Sequence, residues 1–256
     1  APFPAILNEH FQPAFVAAIQ KAKGEVEAIK RESLPTFENT VEALEKSGKQ
    51  LGVLSAIFFN LNSAETNAEL QGLAREISPL LTTHANDILL DKELFQRISQ
   101  VFEQREQLSL TAEQTTLLEK TYKSFVRNGA QLEKEAADTL RKIDQELAQL
   151  SLQFGENVLA ETNKFYLQIT NEKELSGLPD GVIEMAAQTA KEKKMTGWVF
   201  TLDYPSYVPF VTYSNLRELR KKITIAFGQR AFKNNVNDNQ ASILEIVNLR
   251  HQRAQL

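Results

Sequence analysis

Histidine is the side chain best suited to act as a general base near neutral pH. This 256-residue chain has three: His10, His84 and His251. They stand far apart, His10 in a proline-rich opening, His84 in an apolar helical segment and His251 near the C-terminus. None is followed by a second histidine four residues on. The His-Glu-x-x-His arrangement, which sets two zinc ligands on one helical face beside a general base, is therefore absent. Surface or packing roles are the expected reading for all three. The chain has no cysteine, which excludes disulfides and thiolate metal sites. No catalytic, cofactor-binding or metal-ligating residue is expected in it.

Other chemistries fare no better. The carboxylates are spread along helical faces without an acid/base pair that stands out. The glycines show neither G-x-G-x-x-G nor Walker spacing, so nothing cradles a phosphate, and no G-x-S-x-G elbow presents a serine. One stretch is unusual, residues 198–213 (WVFTLDYPSYVPFVTY), dense in aromatics and broken by Pro205 and Pro209. Its tyrosines Tyr204, Tyr207 and Tyr213 can present hydroxyls and ring faces to a peptide, or can fill a junction between elements with each phenol finding a partner. Packing is the favoured reading.

The elements that carry these residues are mostly helices. The prolines fall at 2, 4, 13, 35, 79, 179, 205 and 209, leaving residues 80–178 free of the strongest helix breaker. After an extended opening, Phe15, Ala18, Ile19, Ala22, Val26 and Ile29 recur at helical spacing and predict a helix over 13–31. Thr36 is placed to cap a second helix, running from Phe37 to Leu61 and only softly interrupted by Gly48 and Gly52. Thr66 and Glu69 have capping-box spacing for a third, bent at Pro79 and reaching about residue 90; Asp91 caps a fourth, and Thr111 with Gln114 opens a fifth. Leu140, Ile143, Leu147, Leu150, Phe154 and Val158 then step by threes and fours along one long helix. Residues 164–170 and 197–203 alternate and are rich in β-formers, with a helix over 182–194 between them. Helical period returns from about residue 214, a polar linker covers 233–239, and a last helix runs to the end.

The fold class is thus mainly α: a multi-helix bundle of long antiparallel helices with a small α/β (β-α-β) insert near residues 164–203. Two domains are expected, an N-terminal helical bundle over 1–163 and, over 164–256, the small α/β element with its following helices. A hydrophobic fraction of 42% suffices for sizeable cores, and a formal net charge of −4 gives no footprint for nucleic acid. No run is long and apolar enough for a membrane span. The last helix keeps its apolar pattern to Leu256 without a glycine cap or proline stop, which reads as continuation into a longer protein. Absence of cysteine fits a reducing cytoplasm, the expected location, and equally a periplasm reached by a signal removed ahead of Ala1.

Several strings resemble the N-terminal half of the thimet oligopeptidase, oligopeptidase A and peptidyl-dipeptidase Dcp family of zinc metallopeptidases. They are Glu9-His10-Phe11-Gln12-Pro13, Pro35-Thr36-Phe37-Glu38-Asn39-Thr40, Gly197-Trp198, Thr201-Leu202, Pro205-Ser206-Tyr207 with Pro209-Phe210, and Ile243-Leu244-Glu245-Ile246-Val247 with Leu249-Arg250. Their order runs from end to end, and the Dcp-like branch fits best. The resemblance implies two helical halves around a deep channel, with zinc held by His-Glu-x-x-His in a C-terminal catalytic half that this sequence does not reach. It implies a parent enzyme that cleaves short peptides, releasing C-terminal dipeptides, and a chain that is inactive alone, without zinc of its own. The implied partners are that catalytic half and short peptide substrates, with Tyr204, Tyr207 and Tyr213 as candidate channel-wall residues. A stand-alone helical scaffold that binds a protein or peptide is the alternative.

Overall fold

The computed structural model describes residues 3–64 and 66–256. Helix dominates, at 76% of the chain, and the only sheet among the described residues has two strands. The chain divides into two compact units, one made of residues 1–152 and 247–256, the other of residues 153–246.

Unit 1 is built on α1 (Phe11–Arg31), whose buried side chains Phe11, Phe15, Ala18, Ile19, Ala22, Val26 and Ile29 form one continuous stripe. Ahead of it lie two short 3-10 turns, Phe3–Ala5 and Asn8–His10, where the sequence predicted extended chain; residues 1 and 2 of that opening lie outside the described residues. Thr36 caps the next helix, as its position predicted: its Oγ1 accepts from Asn39 N while Asn39 Oδ1 accepts from Thr36 N. The helix it opens is a π-helix, Phe37–Glu42, continued by α2 (Ala43–Lys46). There the expected second helix breaks. Gly48 adopts φ +66° and gives its N–H to Glu25 on α1, so the helical ladder cannot pass through it. A new helix, α3 (Lys49–Ala64), starts beyond it, and Gly52 lies inside that helix.

α4 (Ala68–Leu89) contains Pro79 without ending there. Its cap is Asn67, not Thr66: Asn67 Oδ1 accepts from Leu70 N, and Thr66 is diverted to Asn62. Asn caps as strongly as any residue, and its position one step later displaces the Thr66–Glu69 box. α5 (Lys92–Glu103) is capped by Asp91, and α6 (Ala112–Arg127) by the reciprocal Thr111–Gln114 box, as the spacing predicted.

Most of the core of unit 1 forms along the α1 stripe, and a smaller cluster of Phe37, Val41, Val101 and Leu118 lies apart from it. At one end Phe58 of α3, fully buried, meets Phe11, Phe15 and Phe59 edge-on at centroid distances of 4.9, 5.5 and 5.0 Å, with Leu70, Ala74 and Ile77 of α4 closing the cluster. At the other end Val26 and Ile29 join Leu94 and Ile98 of α5 and Phe125 of α6. Buried Arg97 of α5 ties this end to the π-helix, donating to the carbonyl of Glu32, the C-cap of α1, and to Thr40 Oγ1. No carboxylate pairs with it among the described residues, but the carbonyl end of α1 supplies partial negative charge there.

The long helix predicted around Leu140 to Val158 is α7 (Lys134–Lys164). The division between the units falls inside it, after Leu152. In unit 2 it leads to β1 (Leu167–Ile169), α8 (Asp180–Glu192) and β2 (Trp198–Phe200). The strands pair antiparallel, Leu167 with Phe200 and Ile169 with Trp198. Each is three residues long, shorter than the alternation suggested. Gly197 leads into β2 at φ +79°, and a Cβ there would come within 2.2 Å of the Ile169 carbonyl oxygen, so only glycine fits. α9 (Tyr204–Tyr213) and α10 (Arg217–Gly228) then bury Phe210 and Ile223 against Phe200 and Leu202. α11 (Gln240–Gln255) ends the chain; in its unit 1 part Arg253 pairs with Asp144 at 2.7 Å. Among the described residues no helix is long and apolar enough to cross a membrane.

His84, buried on α4, is held below its ordinary pKa of 6.5, first by desolvation and then by the Lys23 ammonium, against the opposing pull of Asp87. A depressed folded-state value makes the unfolded chain the better proton acceptor. Its effect is absent above pH 6.5, and stability falls as pH drops below that value. Urea unfolding at about pH 7.5 and about pH 5.5 is expected to show that loss in the native chain and a smaller one in His84→Gln.

Candidate functional site

Tyr204 and Tyr207 lie on the first turn of α9. Proline in that first turn costs no hydrogen bond and presets the helical φ. The entry is fixed locally: Thr201 N donates to Ser206 Oγ, and Thr201 Oγ1 donates to Asp203 Oδ2. This helix was not anticipated from the sequence, where two prolines within an aromatic run obscured it.

Tyr207 stacks on Phe227 of α10, with ring centroids 4.1 Å apart and planes 7° from parallel. The Arg230 guanidinium lies 3.6 Å from the centroid of the same Phe227 ring. Two groups this close cannot share one face, so Phe227 is sandwiched between an aromatic and a cation. Tyr204 meets the ring edge-on at 5.8 Å and stays 68% exposed. Tyr213 is half exposed at the other end of α9, nine residues on, about 13 Å away by helical rise. The structure thus brings Tyr204 and Tyr207 together around Phe227 and leaves Tyr213 apart. Among the described residues none of the three phenol hydroxyls has a hydrogen-bond partner.

Behind this aromatic face stands a buried carboxylate. Arg230 donates through Nη1 to Thr162 Oγ1, and its neighbour Glu161, 4% exposed on α7, accepts from Asn235 Nδ2, Asn237 Nδ2 and Lys233 Nζ. The stretch read as a polar linker is therefore an ordered loop. Asp238 accepts from the backbone amides of Lys233, Asn234 and Gln240, and Ala231 and Asn234 both take positive φ. Asn239 reaches back to the Phe154 carbonyl and to Asn157. The loop holds Glu161 ionised, its pKa pushed below the ordinary 4.5 by the Asn237 bond foremost and by Lys233 and Asn235, against desolvation. The tip of the loop, Val236, is 93% exposed. Sequence reasoning missed Phe227, Arg230 and Glu161; the density of asparagine and aspartate over 234–239 was the available signal, since these side chains build turns by bonding their own backbone.

The histidines are not gathered. His10 Nδ1 accepts from Leu7 N, His84 is buried in α4, and His251 is exposed on α11. Among the described residues no group of three or more His, Cys, Asp or Glu is placed to hold a metal ion. The zinc that the family resemblance implies thus finds no donor set here, and no step through a metal can be derived from these residues.

No protein-family model matches the chain. Its relatives are peptidases, and the chain is a homologue of their N-terminal part. It is 36% identical over 256 residues to dipeptidyl carboxypeptidase of Escherichia coli K12, a match that covers 99% of this chain and 38% of that protein. It is 32% identical over 262 residues to the probable cytosolic oligopeptidase A of Arabidopsis thaliana, covering 100% of this chain and 37% of that protein. A thimet-like oligopeptidase of Dictyostelium discoideum is 26% identical over 224 residues, covering 86% of this chain and 32% of that protein. The chain spans between 32% and 38% of the length of these relatives. The resemblance drawn from the strings around Pro35-Thr36-Phe37 and Pro205-Ser206-Tyr207 is thereby established.

The Glu161 network makes a quantitative prediction. Glu161→Gln removes the charge that three donors converge on, and hydrogen bonds to a charged group are worth about 1.5–3 kcal/mol each. A loss of about that size is expected in urea unfolding, together with faster amide exchange in residues 233–239. Because the folded pKa is depressed, the contribution is fully present above pH 4.5 and lost as pH falls through the lowered folded value; the variant should lack that acid-dependent step.

Proposed function

We propose that this chain is the N-terminal, non-catalytic part of a zinc-dependent oligopeptidase of the peptidyl-dipeptidase type, and that it forms one wall of a substrate channel. The observation that carries this reading is the end-to-end match to about 38% of proteins named as peptidases, in a chain whose described residues include no group of three or more His, Cys, Asp or Glu placed to hold a metal ion. The parent enzyme would hydrolyse short peptides and release C-terminal dipeptides, with the metal and the general base supplied by the remaining length.

A wall acts by shape. Packed helices deform little, so a channel that they line admits extended peptides, excludes folded proteins by size and sheds water from the bound substrate. The α9 face suits such a surface: Tyr204 is open to solvent while its ring position is fixed by Phe227 and, through Arg230, by α7. Aromatic rings on a rigid support bind peptide side chains at little entropic cost.

The test is hydrolysis of a blocked peptide with a free C-terminus. This chain with added zinc should release nothing, whereas the protein extended to its natural C-terminus should release dipeptides and lose that activity to a chelator. Chelator-sensitive cleavage by this chain alone would overturn the reading. In the extended protein Tyr204→Ala should raise KM severalfold with little change in kcat; an unchanged KM would remove Tyr204 from the wall.

A further inference from the structure

Three buried polar atoms among the described residues have no hydrogen-bond partner: His84 Nδ1, Asn86 Nδ2 and Arg97 Nε. Arg97 is held through its other two nitrogens, and His84 is kept neutral by its surroundings. Asn86 has neither compensation. It is 4% exposed, yet it lines an open cleft of about 330 Å³ in unit 1, formed by α4, α7 and the end of α11.

The rest of that cleft points to a ligand class. Asp144 is the only carboxylate lining it, and Arg253 neutralises it at 2.7 Å while also donating to Asn128. Arg250 also lines the cleft, is exposed, and has no hydrogen-bond or ion-pair partner among the described residues. Net charge in the cleft is therefore one positive unit, carried by a free guanidinium. Leu89 and Leu147 give it an apolar side. An ordinary solvated surface arginine comes with neither a buried amide lacking a partner nor an apolar wall. An unpaired buried N–H carries a standing desolvation penalty, and a turn about χ2 brings that NH2 to the cleft while the carbonyl oxygen takes its buried place.

We propose that this cleft binds a small organic carboxylate. Arg250 takes the carboxylate in a bidentate pair, Asn86 turns about χ2 to donate its NH2 to one carboxylate oxygen, and the apolar part of the ligand lies against Leu89 and Leu147. Neither residue belongs to the aromatic face of unit 2, and binding requires only this chain.

The experiment titrates the 256-residue chain with sodium hexanoate and, in parallel, with hexanamide and with inorganic phosphate, followed by the side-chain NH2 signals of Asn86 and the Nε–H of Arg250. Saturable shifts with hexanoate, with weaker or no response to the other two, are expected. Arg250→Gln, an exposed change that should leave the unfolding midpoint in place, is expected to weaken hexanoate about tenfold, the loss of one charge-assisted contact. Four results would each overturn the proposal. Hexanoate shifts could fail to saturate, hexanamide could bind as well as hexanoate, phosphate could bind as well and so remove the apolar contact, or Arg250→Gln could bind unchanged.

Discussion

Everything in unit 1 depends on one buried stripe. α1 presents a row of seven buried apolar residues, and a helix so patterned has no stable position until other helices cover that row from end to end. Each large side chain buried along it contributes about 1.5–3 kcal/mol, so the stripe outweighs any cap or ion pair around it. It also explains why the covering elements are interrupted. A single straight helix after Thr36 could not follow the whole stripe, and the break at Gly48 lets α2 bring Ala43 and Leu44 to the Val26–Ile29 end while α3 brings Phe58 to the Phe11–Phe15 end. The Gly48 N–H given to Glu25 fastens that break to α1 itself.

Unit 2 adds a different constraint to its apolar core. A two-stranded sheet of three-residue strands is marginal alone and is held by the side chains of α8, α9 and α10 packed on it. The loop after α10 is held by polarity. Glu161 is a charge taken out of water, and three donors from one loop meet it, so the loop can move only by stripping partners from a buried carboxylate. The same run of chain carries Arg230, which closes the sandwich on Phe227. The aromatic face and the buried anion are thereby one mechanical assembly, joined at the adjacent residues Glu161 and Thr162.

How much of this was legible depended on whether the signal was local. The stripe of α1, the caps at Thr36, Asp91 and Thr111, and the period of α7 are each written within a few residues, and the structure has them where the spacing put them. The failures have the opposite character. Gly48 is a break because of where Glu25 lies, and Thr66 lost its box to Asn67 by one position. Glu161 looks like any surface glutamate of a helix until the loop 72 to 76 residues further on folds over it. The tyrosines were found by composition, but the partner that orders two of them, Phe227, lies about twenty residues away in sequence.

That pattern bears on the proposed role. A catalytic group announces itself by type and spacing, because chemistry needs particular atoms at particular distances; a wall needs only rigidity and a surface, which many residues can supply. Absence of a motif is then what a wall predicts, but a scaffold of any kind predicts it too, so motifs alone cannot choose between the two. Homology adds an independent observation: the chain matches the N-terminal part of the peptidases from end to end. Partner-binding scaffolds of unrelated origin have no reason to keep that order. Two costly local features, the buried carboxylate of Glu161 and the positive φ of Ala231 and Asn234, stand behind an exposed aromatic face. Strain and buried charge persist where a shape must be held against solvent, and on the proposed reading the shape held is the lining past which a peptide moves.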